Sequence, residues 1–445
     1  MTAVAAAAMV SFASPGLILA QNAAQGQAQG SSQSTAAGGT QAPQKNWKDR
    51  AEYDLYVSIT GEKDLNKKLD LLNQWSSKYP NTDFKSDRKL LYLVTYAQLN
   101  QPQKTIDAAK DILADDPTNF QALYYTTLLT PQITPPTPDV LDQGEKAANG
   151  LIAAIPGQFA PDKKPAQVSE ADWTKAKTDT DALAHTTLGW VAMQRKDYPK
   201  AEQEFTQSLQ ENPAAGQVSY WLGTSVLAEK DPSKQSAALY DFARAAAYDG
   251  PGSLNPAGRQ QVKQYLTKAY SDFHGSADGL DAVLAQAKTA ALPPGDFKIL
   301  SIVDLQQQKA QDAAKFAQEH PEVAIWLNIK NELTGANGAA YFDSSMKGTQ
   351  TPPFPGTLIS AEPETRPKKL VLAIADGSTP DATILLDTPL PGKADPGTKI
   401  TFQGIPESYT AQPFMVTFKA DKANIKGWPG KEAPARRPVH RRRAG

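Results

Sequence analysis

The chain has 445 residues, too many for one compact hydrophobic core, so two or more domains are expected. It contains no cysteine, which excludes disulfides, thiolate metal sites, cysteine nucleophiles and lipid attachment through an N-terminal cysteine. The formal charge of −1 hides an asymmetry: residues 431–445 carry five Arg and Lys431 against Glu432, a net of +5, which leaves −6 for the rest.

The first 20 residues, MTAVAAAAMVSFASPGLILA, are uncharged and apolar and end in small residues. They read as a secretory signal peptide cut after Ala20 or slightly later. The alternative is a single membrane anchor, for which the run is barely long enough. The expectation is an exported protein, periplasmic or secreted, with no transmembrane domain in the mature chain. Residues 21–46 are Gln, Ala, Gly and Ser without apolar periodicity, a flexible solvated spacer.

Order is expected from Trp47. Leu65 to Tyr79 predicts a helix with Leu69, Leu71, Leu72 and Trp75 inward, ending at Pro80. Tyr96, Ile106, Leu113 and Pro117 outline a helix pair. Phe120–Leu129 begins another, with its partner Val140–Ile155 displaced by the loop PQITPPTP, and an insertion follows from Pro156 to Val168. The clearest pair runs from Asp181 to Pro213. Tyr198, Ala201, Phe205, Ser208 and Leu209 share one face of its second helix, with Asp197 as cap and Pro199 in the first turn. Gly189, Ala201 and Ser208 are small where the two helices must meet.

Leu188-Gly189, Ala201, Phe205 and Pro213 make this stretch resemble the tetratricopeptide repeat, although Ala192 stands where that family usually has Tyr. Leu222-Gly223 recurs 34 residues after Leu188-Gly189, and Ala238, Phe242 and Ala245 follow. The resemblance implies an α-solenoid of antiparallel helix pairs over residues 47–295, in which Leu188, Gly189, Ala201, Phe205, Leu222, Gly223 and Phe242 pack the repeats. Gln260–Phe273 and Ala277–Ala291 read as a fifth, weak pair. Residues 296–350 read as a helical cap or connector, with Ala324, Ile325, Trp326 and Ile329 on one face.

After Gly348 the pattern changes. Short β-rich runs at Thr357–Ser360, Leu370–Ala375, Ala382–Leu386, Thr398–Gln403 and Phe414–Lys419 alternate with Asp-Gly, Pro-Gly and Asp-Pro-Gly turns. Five strands over residues 352–426 predict a small barrel or sandwich, an OB-like barrel by first choice. The ending around FQGIPESYTAQPFMVTF is similar to that of uncharacterised secreted bacterial repeat proteins, which implies a location and an architecture but no activity. Residues 427–445 read as a disordered basic tail with Arg436, Arg437, Arg441, Arg442 and Arg443.

The sequence holds no catalytic pattern. Its four histidines, His185, His274, His320 and His440, sit in no HExxH and in no metal-clamping spacing, and His185 falls at a helix-packing position. No GxSxG surrounds a serine, and GANGAA at Gly335 lacks the Lys-Ser/Thr of a phosphate loop. The expectation is a non-enzymatic scaffold with no cofactor or metal. In the resembled family the first helices of successive repeats line a concave groove. Carried over, that groove comprises Thr186, Trp190, Met193 and Gln194, then Gln217, Tyr220, Thr224 and Leu227, with Val94, Gln98 and Tyr124 from earlier pairs. It would take a protein or peptide. The alternative for Trp190 and Tyr220 is packing against a neighbouring helix. The second functional reading is an anion- or envelope-binding module acting through the β-domain and tail, with an acidic polymer as partner and single-stranded nucleic acid disfavoured.

Overall fold

A computed structural model of the chain describes residues 47–430. The expected export segment, the spacer, and the five arginines of the tail lie outside these residues. The chain divides into two units, Met1–Ile302 and Val303–Gly445. The first is helical; the second combines helices with one sheet.

The first unit comprises α1 (Arg50–Gly61), α2 (Leu65–Lys78), α3 (Lys85–Gln98), α4 (Pro102–Asp115), α5 (Phe120–Leu129) and α6 (Pro138–Gln158). It continues with α7 (Glu170–Gln194), α8 (Tyr198–Glu211), α9 (Gly216–Ala228), α10 (Gln235–Ala247), α11 (Pro256–His274) and α12 (Leu280–Thr289). Local chemistry sets many of the starts. Asp64, Asn119, Thr137, Ser169, Asp197 and Asn255 each accept a backbone N–H of the helix they precede, and prolines occupy the first turns of α4, α6, α8 and α11. The turns leaving α3, α7 and α9 use left-handed residues, Asn100 (φ 54°), Lys196 (φ 65°) and Lys230 (φ 58°). Lys196 and Lys230 are separated by the same 34 residues as the two Leu-Gly pairs.

From α1 to α11 each helix packs on the next in sequence, and the alternate helices α3, α5, α7 and α9 touch in turn. The core is accordingly a chain of local clusters rather than one centre. At α7–α8, Leu188, Gly189, Ala201 and Phe205 are all buried; a Cβ on Gly189 would stand 2.6 Å from the Phe205 ring. One repeat on, Leu222, Gly223 and Phe242 are buried in the same manner. The expected fifth pair is arranged differently, since α11 and α12 both pack on α10.

A further helix, α13 (Ile302–Glu319), crosses the boundary and buries none of its residues. The second unit then has α14 (Pro321–Thr334), the short α15 (Gly338–Tyr341) with a π-turn Phe342–Met346, and a seven-stranded mixed sheet. Its strands are β1 (Phe354–Glu362), β2 (Lys369–Ala373), β3 (Ala382–Leu386), β4 (Lys399–Phe402), β5 (Ile405–Ala411), β6 (Phe414–Ala420) and β7 (Ile425–Lys426), in the order β5-β6-β3-β2-β1-β4-β7. All neighbours are antiparallel except β3 and β6, which run parallel.

Three expectations are corrected here. The OB-like barrel is not formed, because β5 and β7 remain as opposite edges of an open sheet. The stretch expected to cap the repeats instead delivers Trp326 and Leu333 to the core of the second unit, among Phe354, Phe402 and Phe418. The disordered tail does not begin at residue 427: Trp428 packs against that core and its indole donates to the Pro391 carbonyl at 2.7 Å. No helix among the described residues is long and apolar enough to cross a membrane.

Candidate functional site

The expected groove residues divide by exposure. Gln98 and Gln194 are exposed; Val94, Tyr124, Thr186, Met193, Gln217, Tyr220 and Thr224 are half-buried; Leu227 is 38% exposed. Trp190 is the correction. At 5% exposure it belongs to the core formed with Val191, Phe205, Leu209 and Leu222, so it offers no surface to a ligand. The reason is local: α7 packs on both α6 and α8 and touches α5 and α9, so little of its surface stays open. Thr186 also turns inward, pairing its hydroxyl with that of Ser208 at 2.7 Å.

What remains open is strongest near α9. Tyr220 meets Phe242 edge-on at 5.8 Å, and Phe242 meets Tyr265 of α11 at 5.0 Å. Tyr265 is 45% exposed and no sequence pattern marked it, since α11 departs from the repeat spacing. Aromatic rings with one face packed and one wet are what interaction surfaces favour.

A second constellation joins α7 to α8. Asp181 and His185 stand four apart on α7, hence on one face, and Glu204 and Glu211 reach them from α8. His185 Nδ1 is 2.7 Å from Glu204 Oε2, while His185 Nε2 is 3.9 Å from Asp181 Oδ1, too long for a hydrogen bond. The side-chain oxygen or nitrogen donors of Asp181, His185 and Glu211 all lie within 4.8 Å of one another. Gln207 donates to Glu211 Oε1 at 2.7 Å, while Glu211 Oε2 is buried with no donor group on it and the Asp181 carboxyl is a close neighbour of Glu211. The hydrogen bond to Glu204 raises the proton affinity of His185, and burial raises that of Glu211. Sequence reading treated His185 as a packing residue because two of its neighbours belong to the following helix. The Asp181-x3-His185 spacing was the available signal.

No protein-family model matches the chain, and no curated protein matches it.

Proposed function

We propose that the helical unit is a solenoid of the tetratricopeptide type that holds a protein or peptide partner, in a protein that is exported to the periplasm or secreted. The observation that supports this reading is the contact of α3, α5, α7 and α9 in turn, with neutral polar and aromatic side chains at their open positions. Gln98, Gln194 and Gln217 offer amide donors and acceptors to an extended backbone. Tyr124, Tyr220 and Tyr265 offer ring faces to its apolar side chains. The scaffold needs no chemistry of its own, and binding through such faces rests on a few anchors.

Capture of the co-purifying partner from envelope extract tests it. Tyr220→Ala and Tyr265→Ala should weaken capture with helical content unchanged, and deletion of residues 431–445 should matter little at physiological salt. Truncating an anchor costs roughly 2 kcal/mol or more, about a thirtyfold loss of affinity. If deleting the tail abolishes capture while both tyrosine variants bind normally, the anion-binding reading replaces this one.

A further inference from the structure

We infer that Asp181, His185 and Glu211 form a binding site for a divalent transition-metal ion such as Zn2+, with Glu204 and Gln207 as its supporting shell. The inference is independent of the scaffold reading, because it concerns the seam between α7 and α8 alone. Three donors within 4.8 Å of one another leave a point no more than about 2.8 Å from each, against bond lengths of about 2.0–2.2 Å for zinc to nitrogen or carboxylate oxygen. Small side-chain rotations close that gap. They are available at least to Asp181 and His185, whose side chains keep 34% and 21% of their surface exposed.

The hydrogen bonding points the same way. Glu204 accepts from Nδ1 of His185 at 2.7 Å, which leaves Nε2 as the ring nitrogen free to bind a cation, 3.9 Å from Asp181 Oδ1. A carboxylate on the far ring nitrogen is the usual support of a metal-bound imidazole. The Gln207 amide occupies Glu211 Oε1 and leaves Oε2 buried with no donor. A proton on Nε2 would place an imidazolium among the acids, and a metal ion competes with that proton for the same point. One cation satisfies all three. The mixed set of one imidazole and two carboxylates suits zinc or its neighbours better than magnesium, which prefers oxygen alone.

The test is calorimetric titration of the full chain, stripped with chelator, by zinc chloride near neutral pH. Wild type should take up one saturable equivalent. The combined variant Asp181→Asn, His185→Gln, Glu211→Gln should take up none there. Glu204→Gln keeps every ligand and should weaken zinc by about 10–100-fold, the usual effect of removing a supporting group. Circular dichroism of the metal-free proteins establishes folding; if the combined variant does not fold, Glu211→Gln alone is compared. Absence of saturable uptake by wild type overturns the assignment. So does a folded ligand variant that binds zinc as wild type does, which would place uptake at another histidine. Magnesium bound as tightly as zinc would also overturn it.

Discussion

The indole N–H of Trp326 donates to Asp381 Oδ2 at 2.8 Å, and both residues are buried. The same carboxylate accepts the backbone N–H of Ile374 at 2.8 Å and that of Ala375 at 3.0 Å. One side chain between β2 and β3 therefore ties α14 to the sheet and ends β2. A buried carboxylate with three donors is satisfied; its donors without it are not. Asp381→Ala should cost about 3 kcal/mol or more, because it strands those three N–H groups. Trp326→Phe, which removes one of the three donors and the pyrrole half of the indole but leaves a six-membered ring in the core, should cost less than Asp381→Ala. Denaturant unfolding followed by Trp fluorescence and far-UV dichroism checks the order, and equal losses would mean that the two backbone donors to Asp381 contribute nothing measurable.

The seam between α7 and α8 has no spare volume. A methyl on Gly189 would stand 2.6 and 2.7 Å from two atoms of the Phe205 ring, itself fully buried. Gly189→Ala should destabilise the helical unit by roughly 1–3 kcal/mol despite the gain in helix propensity. Thermal unfolding measures it. A variant as stable as wild type would show that α7 and α8 can separate without loss.

Asp241 makes the stability of the helical unit depend on pH. It is 2% exposed on α10, its Oδ1 has no hydrogen-bond partner, and burial, with help from Glu202, raises its proton affinity well above that of an ordinary carboxyl. Below the unfolded pKa of about 4, both states hold the proton. As pH rises through that value the unfolded chain releases it first, so the contribution of Asp241 to stability falls toward neutrality. Asp241→Asn should therefore raise the melting temperature at about pH 7 by more than at about pH 4. A difference that is constant with pH, or a loss at pH 7, contradicts this.

The helix pairs were legible because their determinants are local. Leu188, Gly189, Ala201 and Phe205 lie within one turn-connected segment, and spacing alone aligns them. The sheet was legible only as strands. Its order depends on the parallel pairing of β3 with β6 and on Trp326 reaching Asp381, contacts between residues far apart in sequence. The edge strand β5 was missed because Pro406 and Glu407 interrupt its apolar alternation. Trp190 was misread because a tryptophan on a first helix is exposed or buried according to its neighbours, which spacing does not specify. Arg88 and Arg244 illustrate the same limit. Both are buried with guanidinium groups on backbone carbonyls: Trp75 and Tyr79 for Arg88; Pro213, Ala287 and Lys288 for Arg244. No spacing in the sequence marks either arginine as buried. The cluster around His185 stayed hidden for a related reason, since Glu204 and Glu211 come from the second helix of the pair.

The central claim is that the first helices of the pairs hold a polypeptide. A photo-crosslinking amino acid placed at position 98 or 194, both exposed on first helices, tests it most directly, with position 203, exposed on the second helix α8, as control. In cells producing the full chain, irradiation should join one and the same polypeptide to positions 98 and 194 and leave position 203 unlabelled. Adducts equally frequent at position 203, or none at 98 and 194, would contradict the account.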